Sequence, residues 1–126
     1  MNKVVICVIV ALALLVPTAP AALAAHDHFG ESARKVAREI HCKRFVRGNL
    51  VLDMDSGVCR VKGERVYVIT FRSRRQQRKW NEVAHTGLQP DHWWANGKGA
   101  IVTARNGNRA AARIGARRLP GVLKRP

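Results

Sequence analysis

The stretch Gly57-Val58-Cys59-Arg60-Val61-Lys62-Gly63-Glu64-Arg65-Val66-Tyr67-Val68-Ile69-Thr70-Phe71 carries the clearest structural signal in the chain. Two apolar-rich runs flank Lys62-Gly63, and Gly63 can take the positive φ that a two-residue hairpin turn requires. In the second run, alternation places Tyr67, Ile69 and Phe71 on one face and Val66, Val68 and Thr70 on the other. Apolar side chains on both faces predict a central strand.

Before the hairpin, Ser32 can cap a short helix. Its Ala33, Val36, Ala37 and Ile40 follow the i, i+3, i+4, i+7 pattern of one buried face, and Cys42 ends it. Residues 43–56 read as a loop with a short strand at Asn49–Leu52. After the hairpin, Ser73-Arg74-Arg75-Gln76 has the capping-box pattern and opens a second helix. Trp80, Val83, Ala84 and Leu88 line one face of that helix, Gly87 suits its C-cap, and Pro90 stops it. His92 to Ala95, Asn96-Gly97, and Gly99 to Ala104 predict a second hairpin or a turn followed by a strand. The expected fold is therefore α+β: a small antiparallel sheet with two helices packed on one face, over residues 25–104.

The 126 residues leave room for one domain. Lys3, the apolar run Val4–Val16, and small residues at Ala22 and Ala24 predict a signal peptide over 1–24. Cys7 lies inside the apolar run and would leave with it. The exported chain then keeps 22 Lys and Arg against 8 acids, a net charge of +14. Two cysteines remain, Cys42 and Cys59, and an even count in an exported chain predicts one disulfide. No C-x₂-C or H-x₃-H pair supports a zinc site. The expected location is secreted, extracellular or the cell envelope.

From Arg105 to Pro126 the chain has seven basic residues, no acid and no aromatic. Arg105, Arg109, Arg113 and Arg117 recur every fourth residue, which on a helix drifts by ~40° per step. Gly107, Gly115 and Leu119-Pro120-Gly121 weaken a helix. This segment, 105–126, is expected to be a mostly disordered basic tail, free to fold on an anionic surface.

The run Gly57-Val58-Cys59-Arg60-Val61, Gly63, Val66 to Phe71, Ser73, Arg78 and Trp80 is similar to small exported proteins and lipoproteins of actinobacteria, over about residues 33–104. The resemblance implies this fold and export but supplies no active site. The chain departs from the pattern by lacking a lipobox and by carrying the basic 105–126 segment.

Several features bear on function. The basic surplus predicts attraction to anionic polymers: an envelope polymer, nucleic acid or acidic lipid. Arg74, Arg75, Arg78 and Lys79 crowd a helix N-terminus, where positive charge opposes the helix dipole. Together with Arg105, Arg109, Arg113 and Arg117 they are candidate binding residues. Trp93 and Trp94 point to opposite faces of a strand, so one is core and the other could stack on a ligand ring. His85, His92 and Glu82 supply the acid, base and carboxylate that a small secreted nuclease or other hydrolase would need. His26 and His28 offer an alternative metal site at the processed N-terminus. A membrane-active role for the cationic segment is a third reading. Phosphate-loop, G-x-S-x-G and paired-zinc motifs are missing, and no cofactor is implied. The leading expectation is a non-enzymatic binding or interaction module.

Overall fold

The hairpin forms as its alternation predicts. In the computed structural model, which describes residues 27–49 and 54–126, β2 (Asp55–Val61) pairs antiparallel with β3 (Glu64–Thr70) in an unbroken register from Asp55↔Thr70 to Val61↔Glu64. Lys62 and Gly63 both take positive φ, +47° and +79°, as a tight hairpin turn demands. The second hairpin, β4 (Trp94–Asn96) and β5 (Ala100–Ala104), also forms, and β5 pairs with β3 so that β3 is interior. The predicted signal peptide and the Leu50–Leu52 part of the expected strand lie outside the described residues. Asn49 is not in a strand; the preceding strand is β1 (Lys43–Arg47), paired with β2 across an irregularity between Lys43 and Val46.

Residues 105–126 correct the expectation of a disordered tail. They form α3 (Arg109–Arg118) and β6 (Val122–Lys124), and β6 pairs with β4 to complete a six-stranded antiparallel sheet of order β1-β2-β3-β5-β4-β6. Asn108 caps α3 by accepting from the Ala110 N–H at 2.7 Å. The buried face of α3 is Ala111, Ala112, Gly115 and Ala116. A Cβ at Gly115 would stand 2.8 Å from Val102 Cβ, so the glycine lets the helix lie directly on the sheet. The residue that argued against a helix is thus a packing device. Arg109, Arg113 and Arg117 are exposed along α3.

The helices also correct the expected one-sided arrangement, because among the described residues there are three and they cover both faces. On one face, Cys59, Val61, Val66, Val68, Ala100, Val102 and Ala104 meet α3 and α1 (Ala33–Glu39) in a single core. On the other, Ile69, Phe71, Trp94 and Ile101 meet Trp80, Ala84 and Leu88 of and beside α2 (Arg74–Gly87). Apolar residues on both faces of β3 require covers on both sides, and α3 supplies the cover that the sequence reading lacked.

Caps and cross-links fix the helices. Ser32 accepts from the Lys35 N–H, and Asp55 of β2 accepts from the Ala33 N–H at 2.8 Å. Arg118 of α3 donates to the Ile40 carbonyl at the C-cap of α1, at 2.8 Å. Ser73 accepts from the Gln76 N–H, while Gln76 Oε1 accepts from Arg72, one residue before the cap. The Cys42–Cys59 disulfide is present, its Cα atoms 5.5 Å apart, and joins the segment after α1 to β2. Such bonds persist in oxidising compartments. Among the described residues no helix is long and apolar enough to cross a membrane.

The segment expected as a polar lead-in is anchored from residue 27 onward. The His28 N–H donates to Lys98 O, the Gly30 N–H donates to Phe71 O, and Phe29 packs against the α2-side core.

Candidate functional site

Three residues of α2, Gln77, Asn81 and Trp80, set the helix on its face of the sheet. Gln77 is buried. Its Nε2 donates to Asn96 Oδ1 and Gly97 O (2.9 and 2.6 Å), and its Oε1 accepts from the Gly99 N–H (2.8 Å). Asn81 donates to Asn96 Oδ1 and accepts from the Trp94 indole N–H at 2.9 Å. Trp80 meets Trp94 and Phe71 edge to face, at centroid distances of 5.8 and 6.4 Å. An aromatic layer thus spaces α2 from the sheet where α3 lies flat on it.

That spacing opens a cleft of about 590 Å³ between α2 and β6. Arg78, Asn81, Glu82 and His85 recur at helical spacing along one wall. Lys124 and Arg125 form the opposite wall, and Trp94 and Leu123 contribute apolar surface. Lys124 is the register partner of Trp94 on β6, which brings its amine to the α2 side. The lining carries three Lys or Arg side chains and a histidine against one carboxylate, Glu82.

The expected binding residues are divided by the sheet. Arg78 lines the cleft; Arg74, Arg75 and Lys79 are exposed on α2 outside it. Arg113 and Arg117 are exposed on α3, across the sheet from α2. Arg105 is exposed in the turn after β5. The two tryptophans do point apart. Trp94 is core, and Trp93 is half-buried with Arg109 and Arg125 over its ring, at 4.8 and 5.1 Å from the centroid.

The candidate acid–base residues are also separated. Glu82 and His85 share the cleft, but His92 is not in its lining. His92 Nε2 bonds the Thr103 hydroxyl at 2.9 Å, and burial holds its imidazole below the ordinary value of 6.5, against the opposing pull of Asp91. His26 lies outside the described residues. His28 is buried, with Nδ1 at 2.8 Å from Glu31 and 3.4 Å from Glu39, and among the described residues these three form a group of one imidazole and two carboxylates. Their donor atoms lie within 4.8 Å of one another. Glu31 also pairs with Lys35 at 3.0 Å.

A second basic concavity was not expected. Arg44, Arg47, Arg60 and Arg65 surround Val46 and Val58 on the half of the α2-side face near β1. Its signal lay in the hairpin: if Cys59 and Val61 face one core, then Val58 and Arg60 face away from it, as do Arg65 and Tyr67.

Comparison with known protein families, curated proteins and solved structures finds no match to this chain.

Proposed function

We propose that this protein is an exported, non-enzymatic binding module for anionic polymers of the cell surface or its surroundings. The observation that carries the reading is the α2–β6 cleft, where Arg78, Lys124, Arg125 and His85 converge around a single carboxylate. Cations gathered from two separate elements on one concavity raise the local potential and favour anionic groups. The disulfide, the +15 charge of the whole chain and the apolar N-terminal run support export and polyanion contact.

Heparin affinity tested across a salt series checks this. Retention should weaken steeply with salt, and replacing Arg78, Lys124 and Arg125 together by Ser should reduce the log–log slope by about 2–3. No retention even at low salt would sink the reading.

A second reading rests on Glu82 and His85 sharing that cleft with Arg78. A carboxylate, an imidazole and a guanidinium are a working set for hydrolysis of a phosphodiester. RNA cleavage that disappears in His85→Ala, but survives in His92→Gln, would favour it. Activity that copurifies unchanged with both variants would dismiss it.

A further inference from the structure

Helix α2 covers only part of its face of the sheet, and the uncovered part has a pattern that stability does not explain. Val46, Val58, Tyr67 and Thr103 are successive register partners across β1, β2, β3 and β5. Val46 is 68% exposed, and Val58 and Tyr67 are half-buried. The neighbouring row is cationic: Lys43 pairs with Arg60, and Arg60 pairs with Arg65. Arg105, just beyond β5, shares a depression with Arg65.

Like charges directly across strands destabilise a sheet. Here Lys43, Arg60 and Arg65 occupy three adjacent strands. Among the described residues, the acids nearby are Asp55, engaged by Arg47 at 3.5 Å, and Glu64, beside Arg65 and Arg105 at the end of the hairpin. Among the described residues, Arg60 donates to a carbonyl, Gly63 O at 3.2 Å. The face therefore offers an apolar row with one aromatic ring, alongside a row of cationic groups.

We propose that this open sheet face binds single-stranded nucleic acid. The arginine row would take phosphates, and Tyr67 with Val46 and Val58 would take the flat faces of bases. The charge complementarity admits any polyanion, but the apolar row selects among them. A phosphate polymer without bases has nothing to place on Val46, Val58 and Tyr67, whereas an unpaired strand carries a flat apolar ring with every phosphate. A double helix keeps its bases stacked inside and cannot use the row. This rests on the polyanion reading above and names its ligand, at a surface distinct from the α2–β6 cleft.

The test compares a fluorescent 12-nucleotide oligothymidylate with inorganic polyphosphate of matched charge, by anisotropy and by competition, using the full chain. The oligonucleotide should bind at least about tenfold more tightly than polyphosphate. Tyr67→Leu should weaken the oligonucleotide at least about fivefold and leave polyphosphate unchanged. Arg60→Ser with Arg65→Ser, both exposed positions, should lower the salt slope for the oligonucleotide by about 1.4. The thermal melt of that double variant checks that the sheet is intact. If polyphosphate and heparin bind but the oligonucleotide is no better and ignores these substitutions, the nucleic-acid assignment fails while the polyanion reading stands. If the substitutions release the protein from phosphatidylglycerol vesicles and not from the oligonucleotide, the face belongs to a membrane and the proposal is overturned. If no polyanion binds at low salt, both fall together.

Discussion

On one face of the sheet, Ala95, Ala100, Val102 and Ala104 meet the Ala and Gly positions of α3, and the backbones come as close as side chains of that size permit. On the other, Trp94, Ile101 and Phe71 meet Trp80 of α2, and polar side chains from Gln77 and Asn81 complete the contact. The first face is closed by two helices and tied by the disulfide and the Arg118 contact. The second is closed over part of its width and carries basic concavities on both flanks of α2. A small protein needs one face where packing specifies the structure. Here two helices close the α1–α3 side, while the α2 side joins its own core to exposed basic residues.

The sharpest way to break this contrast is to delete residues 105–126. That removes α3 and β6, exposes the Ala95–Ala104 face, and should abolish cooperative thermal unfolding. A truncated chain that melts like the full one would mean the first face does not depend on α3. Replacing both Cys42 and Cys59 by Ala opens a loop whose closure is worth ~3 kcal/mol, and the urea midpoint should fall accordingly. Gly115→Val should cost about 1–3 kcal/mol, because its side chain would meet Val102 at less than contact distance. The matching change on α2, Val83→Ala at a 63% exposed position, should stay within about 0.5 kcal/mol. Equal effects at the two sites would erase the distinction between the faces.

Smaller effects sharpen it. Asn81→Leu leaves the Trp94 indole N–H without its acceptor, and should cost about 1–3 kcal/mol in urea unfolding while α3 keeps its amide-exchange protection. The smallest expected effect is the titration of His92. Its folded-state pKa lies below 6.5. The unfolded chain therefore takes up the proton first, so the stability is fully present above that value and falls as pH drops toward the folded pKa. His92→Gln should flatten the dependence of the melting temperature as the pH falls below about 6.5. A mutant that keeps the same slope would assign it to another group.

The legible parts of the sequence were those with a strong local period. The β2–β3 hairpin, the Ser32 and Ser73 caps, and the opposed tryptophans all follow from neighbours in the chain. The α3 segment was hidden because its buried face is alanine and glycine, which carry almost no hydrophobic periodicity. Its Asn108 cap and Gly115 acquire meaning only against Val102 and Ala95. The division of the basic residues between two sides of the sheet was hidden for the same reason: without α3 the second cover, and hence the face of α2, had no reference. The cleft needed β6 beside β4, a pairing between Trp94 and Lys124 that no local rule anticipates. Arg60 and Arg65 were readable from the hairpin alternation, but only by asking what faces away from Cys59.

The hydrogen bond from Arg118 to the Ile40 carbonyl spans 78 residues. Helix α1 therefore lacks its partner at the C-cap until residue 118 has been made and α3 has docked. The hairpin and the disulfide join segments only 17 residues apart and can form early; the face they start is finished last. Loop closure over such a distance slows folding. Until it happens, the Val66, Val68 and Val102 surface has only half its cover. Folding of this chain should show a fast phase in the β2–β3 region and a slower one that reports α1 and α3 together.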